Sequence, residues 1–246
     1  MARYKLTIEY AGTRYSGWQI QQNARTVQGE LNQALKDIAR GGKLETYGAG
    51  RTDAGVHALG QVASVTVTCG HELSTLTRAL NAQLPDDVRV LSIDEVSPDF
   101  HARFSAREKT YRYQIRHGMT ADPFERAFVW HLQERLDVEA MRHAAGVLVG
   151  RHDFAAFQSV GSGTRETVRT LTRSEIADAD GRLTYEVAGD GFLRHMVRAI
   201  VGTLVEVGRG FRTKDAMSSL LQGSARSDAG PTAPPQGLFL VRVDYH

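Results

Sequence analysis

The order of strands and helices constrains this chain more than any other feature of its sequence. Residues 3–10 alternate strictly between apolar and polar side chains, which predicts a half-buried strand. Thr26 can cap a helix that we expect to end at Gly41-Gly42. Further predicted elements are strands at 43–47 and 61–68, a helix near 74–83 and a strand at 88–96. The first half of the chain is therefore predicted to follow the order β-α-β-β-α-β.

The second half is predicted to repeat that order. Its elements are a strand at 109–116, a helix at 138–149 capped by Asp137, strands at 167–177 and 182–188, a helix at 192–207 and a strand at 238–245, with an extra helix at 214–221 and a loop at 223–237. Each half has the order of a ferredoxin-like split unit, and two such units commonly form one broad antiparallel or mixed sheet with helices on one face. We expect an α+β protein with subdomains 1–105 and 106–246 and an active-site cleft between the halves.

Composition limits the classes of function. Of 246 residues, 41% are hydrophobic and 24% are charged, as in ordinary soluble proteins. The one cysteine, Cys69, excludes an intrachain disulfide and every multi-cysteine metal site, which favours a reducing compartment. No apolar signal region follows Met1, and no run of 18 apolar residues exists. We expect a cytoplasmic protein that does not enter a membrane.

A glycine-rich segment, Gly48–Ala58, joins the second and third predicted strands. Its glycines allow positive φ and a close approach of a ligand to the main chain, and it carries Arg51 and Asp53 two residues apart. The dinucleotide fingerprint requires a glycine where the chain has Asp53, and no Gly-Lys-Ser/Thr follows for a P-loop. The pattern alone leaves two interpretations, a reactive carboxylate or a turn with a local ion pair.

Other catalytic constellations are missing from the sequence. The local signatures of Ser-His-Asp and Cys-His nucleophiles are absent, and no motif pairs two acidic residues as a glycosidase does. His57 and His195 have no partner at i+4 and no nearby cysteine, so we interpret both as structural histidines. The sequence therefore predicts a site that depends on one ionised aspartate and uses no cofactor and no metal.

Basic residues cluster between His101 and His117, although the formal net charge is only +2. Cations in this segment alternate with aromatic rings, a mixture suited to phosphates and unstacked bases. The cations are Arg103, Arg107, Lys109, Arg112 and Arg116, and the rings are Phe104, Tyr111 and Tyr113. The segment predicts a contact with nucleic acid, whereas the general preference for Arg elsewhere in the chain fits solvated strand faces.

The segment Gly50–Ala58, with the sequence GRTDAGVHA, closely resembles the signature of the TruA family of tRNA pseudouridine synthases. The resemblance covers most of the chain and is weakest after about Arg209. It also includes Tyr15–Gln19, Phe100–Ala106, Lys109–Tyr113 and Met196–Arg198. It implies the same two-lobed plan and an isomerase that converts uridine to pseudouridine in the anticodon stem-loop, at tRNA positions 38–40, without a cofactor. It also implies a homodimer whose composite cleft binds tRNA.

The resemblance further implies roles for individual residues. Asp53 matches the catalytic aspartate, which acts as nucleophile or as base at the ribose, and the sequence does not choose between these roles. Arg51 matches the residue that fills the space left by the extruded uridine. Arg198 is implied to pair with Asp53, although an arginine at the edge of an apolar helix stripe could equally remain solvated. Tyr111 matches the aromatic on the uracil, although it could simply be a sheet residue. We also expect substrate contacts from Gly50, Thr52, Arg103 and Arg112.

A second class of function stays open, a non-catalytic RNA-binding protein built on two ferredoxin-like units. The Arg/Lys-Gly-Phe/Tyr-Gly/Ala-Phe run of RNA-recognition motifs is missing from the strand at 109–116, and a binding module has no need for the carboxylate loop. Release of tritium from tRNA labelled at uracil C5 distinguishes the enzyme from the binding protein.

Overall fold

A computed structural model describes residues 2–38, 44–68, 72–161 and 163–245. The predicted helix end at Gly41-Gly42, the predicted strand start at Lys43 and the single cysteine, Cys69, lie outside these residues. The chain forms two compact units. Unit 1 comprises Met1–Arg107 together with Phe239–His246, and unit 2 comprises Glu108–Leu238.

Unit 1 has the predicted order β-α-β-β-α-β. Its elements are β1 (Ala2–Tyr10), α1 (Val27–Ile38), β2 (Glu45–Gly48), β3 (His57–Val67), α2 (Leu73–Gln83) and β4 (Val88–Val96). β1 lies between β4 and β3, and β2 pairs with the other edge of β3; all these pairs are antiparallel. This is the strand arrangement of a ferredoxin-like unit.

The alternation of β1 produces the core of unit 1. Tyr4, Leu6, Ile8 and Tyr10 are all buried, as the sequence predicts, and Leu6 lies opposite Ala63 on β3. Thr26 caps α1 as expected, because its Oγ1 accepts a hydrogen bond from the Gly29 N–H (3.2 Å). The sheet therefore has one face packed into the core, and its polar side chains belong to the opposite face.

Unit 2 contains every element predicted for it apart from the last strand, together with two short strands that were not predicted. Its elements are β5 (Glu108–His117), β6 (Trp130–Leu132), α3 (Val138–Gly146), β7 (Gly150–Asp153), β8 (Val168–Ala179), β9 (Arg182–Gly189), α4 (Met196–Gly208) and α5 (Ala216–Leu220). Strands β5-β9-β8-β7 are antiparallel neighbours, and β6 runs parallel beside β5. Antiparallel and parallel pairs together with helices confirm the α+β class.

Some predicted boundaries differ from the structure, two of them for identifiable reasons. β3 begins at His57 rather than at residue 61, because its first residues pair with β1 and β10 (Leu238–Asp244). α4 begins at Met196 rather than at residue 192, because His195 has a left-handed backbone with a φ of 63°. α3 ends at Gly146, three residues earlier than predicted.

The last strand, β10, groups with unit 1. It pairs in parallel with β3, where Phe239 lies opposite His57 and Leu240 opposite Ala58. The order of elements in the sequence predicts this strand as part of subdomain 106–246, whereas its contacts group it with residues 1–107. The strand therefore lies in the sheet directly beside the start of β3.

Candidate functional site

The loop from Ala49 to Val56, which we call the Asp53 loop, connects β2 to β3 and contains one tight turn. The Asp53 carbonyl accepts a hydrogen bond from the Val56 N–H (3.1 Å), and Gly55 between them has a φ of 78°. Residues with a Cβ rarely adopt this φ, so the turn requires glycine at position 55. The Ala49 N–H donates to the Val62 carbonyl (2.7 Å), which attaches the start of the loop to β3.

The segment Tyr15–Trp18 supports the Asp53 loop from a distant part of the sequence. The Trp18 N–H donates to the Thr52 carbonyl (3.1 Å), and the Gly55 N–H donates to the Tyr15 carbonyl (3.3 Å). Gly17, with a φ of 90°, lies so close that a Cβ there would be 2.5 Å from the Thr52 carbonyl oxygen. Only glycine permits this approach of two backbone segments.

Two buried polar side chains hold the same loop from the core side. The hydroxyls of Tyr10 and Thr52 are hydrogen-bonded (2.7 Å), and the Gln61 Nε2 donates to the Gly50 carbonyl (3.0 Å). Burial raises the pKa of Tyr10 to about 12, so its hydroxyl stays protonated at neutral pH. Gly50 and Thr52 are thus committed to holding the loop in place.

The two charged residues of the Asp53 loop, Arg51 and Asp53, are more accessible to solvent than Thr52, which lies between them. Thr52 is buried, Asp53 is half-buried and Arg51 is exposed. Arg51 forms no ion pair with any described residue, and hence none with Asp53. The local Arg51–Asp53 ion pair that the sequence left open is therefore not formed, and the guanidinium remains available to a ligand.

His57 is a structural histidine, as the sequence analysis interprets it. It is buried, its Nδ1 accepts a hydrogen bond from the Gly12 N–H (3.0 Å), and its ring stacks on Phe239 with centroids 4.8 Å apart. Because Nδ1 accepts, the proton of the neutral ring resides on Nε2. His57 therefore fastens the end of the Asp53 loop to β10.

Tyr111 and Tyr113 lie on β5 in unit 2, and both are buried. The Tyr111 ring meets the Phe192 ring edge to face, with centroids 4.9 Å apart. Tyr113 donates its hydroxyl to the Pro234 carbonyl (2.7 Å), and its ring packs on Trp130. These contacts account for Tyr113 as a packing residue of the sheet.

Arg198 lies in the first turn of α4 and is half-buried. Its Nε donates to the Ala233 carbonyl (2.8 Å), and the Ala233 N–H donates back to the Arg198 carbonyl (3.0 Å). This pair of hydrogen bonds fixes the side chain against a loop of unit 2, so Arg198 is not the freely solvated arginine of the alternative interpretation.

The predicted RNA-contacting arginines differ in their surroundings. Arg112 pairs with Glu186 (3.2 Å between Nη2 and Oε2), and Arg173 binds the other oxygen of the same carboxylate. Arg103, in unit 1, is exposed and pairs with no described carboxylate. Arg103 is therefore the more available of the two for a phosphate.

Sequence reasoning missed Tyr10 and Gln61, which were assigned only as strand residues. Both carry a polar group at a fully buried strand position, and a buried polar group needs a hydrogen-bond partner. A polar side chain at a buried strand position therefore indicates that a partner exists. The partners lie in the Asp53 loop, 42 residues from Tyr10 and 11 residues from Gln61. Sequence spacing cannot identify partners at such separations.

The described part of the chain contains neither a candidate metal site nor a candidate membrane span. No group of three or more His, Cys, Asp or Glu side chains there is placed to hold a metal ion. None of the described helices has the length and apolar character to cross a membrane.

Known proteins resemble this chain over nearly its whole length. A family model described as tRNA pseudouridine synthase matches residues 6–105 and 144–246. A tRNA pseudouridine synthase A of Geobacillus sp. (strain WCH70) is 45% identical over 243 residues, which cover 99% of this chain and 98% of that protein. A tRNA pseudouridine synthase A of Acetivibrio thermocellus is 45% identical over 245 residues, which cover 100% of both. A solved archaeal box H/ACA sRNP Nop10–Cbf5 complex matches 82% of this chain and 44% of its own chain, with 13% identity and a TM-score of 0.37.

Proposed function

The chain belongs to the tRNA pseudouridine synthase family and is therefore an isomerase, and we propose that it modifies uridine in the anticodon stem-loop of tRNA with Asp53 as the catalytic residue. In this reaction the C1′–N1 bond of the uridine breaks, the uracil turns while it stays bound, and C5 bonds to C1′. C5 loses a proton and N1 gains one. Substrate and product are isomers, so the chemistry requires no redox partner, energy source or cofactor.

Asp53 is the group that we propose to act at the ribose. The observation that carries this proposal is the immobilised Asp53 loop, in which residues 50, 52 and 55 are each held by a separate hydrogen bond while Asp53 is half-buried between them. A carboxylate held in this way can stabilise charge that develops near C1′, whether it attacks that carbon as a nucleophile or removes a proton from the ribose.

Arg51 is proposed to take the place of the uridine in the RNA stack. A uridine inside a stem has to leave the stack to reach a carboxylate, and unstacking costs a few kcal/mol. Arg51 is exposed and pairs with no described residue, so its planar guanidinium can enter the gap without first breaking an ion pair. This contact would offset part of the cost of extrusion.

Tyr111 and Arg198 are proposed as the catalytic contributions of unit 2. Tyr111 would pack on the uracil and move a proton at C5, and Arg198 would stabilise negative charge during the reaction. Both roles rest on the family resemblance of Lys109–Tyr113 and Met196–Arg198. The hydrogen bond of Arg198 to Ala233 supports a positioned rather than a mobile guanidinium.

Arg103 and Arg112 are proposed to contact the phosphate backbone, and Gly50 and Thr52 to act through the position of the Asp53 loop. Arg103 can bind a phosphate directly. Arg112 would have to share its guanidinium between a phosphate and Glu186. The resemblance also leads us to expect a homodimer, which sedimentation equilibrium of the purified protein checks.

Asp53→Asn tests the proposed function. The change keeps the shape of the side chain and removes its charge, and the loss of such a residue usually lowers turnover by three or more orders of magnitude. Tritium release from tRNA labelled at uracil C5 measures turnover, and filter binding measures the affinity for tRNA. We expect no detectable release, unchanged binding, and a thermal midpoint close to that of the wild type.

Asp86→Asn is the matched control. Asp86 is also a loop carboxylate of unit 1, and its pair with Arg89 (3.1 Å) lies at the surface, where ion pairs contribute little to stability. We expect full turnover from this variant. More than about a tenth of wild-type turnover in Asp53→Asn would refute the catalytic role of Asp53. A wild-type protein that binds tRNA and releases no tritium would favour the RNA-binding protein instead.

A further inference from the structure

Three aromatic rings form a row on unit 1 outside the Asp53 loop. The Tyr47 and His101 ring centroids are 4.9 Å apart, and those of His101 and Phe104 are 4.4 Å apart. Tyr47 is 43% exposed and Phe104 is 77% exposed. Packing inside the unit does not explain a phenylalanine that remains three-quarters in solvent, because its burial contributes little to stability.

An arginine lies at each end of this row. The Arg3 guanidinium carbon is 5.8 Å from the Tyr47 ring centroid, and the Arg103 carbon is 5.5 Å from the Phe104 ring centroid. No described carboxylate pairs with either arginine. The row therefore has two uncompensated positive charges and an exposed aromatic face.

The row is anchored to the sheet. Arg3 donates hydrogen bonds to the Phe100 carbonyl (3.0 Å), Thr66 Oγ1 (2.6 Å) and Ser64 Oγ (3.1 Å). The buried Ser64 Oγ also accepts from the Ala102 N–H (3.1 Å), which fixes the segment between His101 and Arg103. Tyr47 lies opposite Ser64 on β3 and so shares its sheet face, opposite to the core face that contains Leu6 and Ile8.

We propose that Tyr47, His101 and Phe104, with Arg3 and Arg103, form a second nucleotide site, which we call the ring row, where an unpaired base of the RNA stacks while a phosphate contacts an arginine. This proposal rests on the proposed function, which makes RNA the substrate. Exposed rings beside cations on a sheet face are a general means of binding unpaired nucleotides, because every base has a π face and every nucleotide has a negative charge.

The chain limits how far Tyr47 can lie from Asp53. Tyr47 precedes Asp53 by six residues, so even a fully extended chain would separate their Cα atoms by no more than about 22 Å. Because the proposed function places the modified uridine at Asp53, the ring row would take a different nucleotide of the same RNA. Its role is to bind and orient the RNA, which affects affinity rather than the chemical step.

Phe104→Ala is the test, with Phe211→Ala as its matched control. Phe211 is 75% exposed, nearly the same as Phe104, but it lies in unit 2 outside the ring row. With an unmodified tRNA transcript, we expect Phe104→Ala to weaken binding and raise KM by between about fivefold and 150-fold, the range for one base stacked on an aromatic residue. The kcat at saturating tRNA and the thermal midpoint should not change. Phe104→Trp should restore affinity, and Phe211→Ala should behave as wild type.

Arg103→Ala gives an independent readout. Loss of one phosphate contact should make the log–log slope of affinity against salt less steep by about 0.7. If the wild type turns over normally and the tRNA affinity of Phe104→Ala lies within twofold of that of Phe211→Ala, the ring-row proposal is overturned and the proposed function is left intact. If the wild type binds tRNA without turnover, the proposed function fails, and the binding comparison of Phe104→Ala with Phe211→Ala still decides on the ring row. If the wild type binds no tRNA, both proposals are overturned.

Discussion

Gly17→Ala should damage catalysis from a position that carries no functional group. Gly17 has a φ of 90°, and a Cβ there would lie 2.5 Å from the Thr52 carbonyl oxygen and 3.1 Å from the Asp53 carbonyl carbon. Real Cβ contacts essentially never fall below 3.0 Å, so the Thr52 carbonyl has to retreat by at least about 0.5 Å. The next residue along the chain is Asp53, which would move with it.

The size of the effect follows from two contributions. A non-glycine residue held at this φ costs on the order of 1–3 kcal/mol of stability. A displacement of about 1 Å at a reacting group lowers the rate about 100-fold, so a shift of at least half that size should lower kcat by roughly 10- to 100-fold. The backbone strain lowers the fraction of molecules that are folded, and the displacement of Asp53 lowers the kcat of each folded molecule.

Gly223→Ala separates these two contributions. Gly223 has a φ of 85°, and a Cβ there would meet no atom within 4 Å. This variant should therefore lose a similar amount of stability and retain its kcat. Tritium release is to be measured at saturating tRNA, well below the thermal midpoint of either variant. If the kcat of Gly17→Ala lies within twofold of that of Gly223→Ala, the inference that segment Tyr15–Trp18 positions Asp53 is refuted.

Three further predictions concern single groups. Tyr111→Phe should abolish most tritium release and leave the affinity for tRNA intact. Tyr113→Phe should keep its kcat and lose about 0.5–1.5 kcal/mol of stability, because it loses the hydrogen bond to Pro234. Equal kinetics of the two variants would contradict the proton-transfer role of Tyr111. Burial raises the pKa of Tyr10 to about 12, against 10 in the unfolded chain, so the stability linked to this shift is fully present below pH 10 and is lost as the pH rises toward 12. Chemical denaturation should show that the free energy of unfolding of the wild type falls by about 2–3 kcal/mol more than that of Tyr10→Phe over this interval. Equal losses in the two proteins would contradict this prediction. Exhaustive chelation should leave turnover unchanged, and activity that returned only with one added metal, with tRNA folding controlled separately, would disprove the cofactor-free mechanism.

Local sequence patterns were sufficient for the elements with a strong hydrophobic period. The alternation in β1 and the capped helix α1 were predicted from residues within the same element. β6 and β7, with three and four residues, are too short to show a period, and each forms because a neighbouring strand supplies its hydrogen bonds. β10 was predicted as a strand, but its pairing with β3 depends on contacts across about 180 residues, and periodicity contains no information about such a partner.

The site shows the same division between local and distant information. Glycines and a carboxylate in one short segment indicated the Asp53 loop without any structure. Three residues from other segments support the loop, namely Tyr10, Gly17 and Gln61. Each also fits an ordinary strand or loop position, so the sequence gives no sign of its contact with the Asp53 loop. Sequence alone also could not decide between the reactive carboxylate and the turn with an ion pair, because the two require the same residue types.

Main-chain hydrogen bonds, rather than an Asx turn, close the turn of the Asp53 loop. A structural aspartate in such a turn uses its side chain to accept the N–H two residues ahead, here that of Gly55. In this loop the Gly55 N–H donates to the Tyr15 carbonyl instead, and the Val56 N–H donates to the backbone carbonyl of Asp53. The N–H groups of Gly55 and Val56 are thus bound by main-chain acceptors. For this reason Asp53→Asn should keep its fold, and a loss of turnover in that variant can be attributed to the missing charge rather than to a collapsed loop.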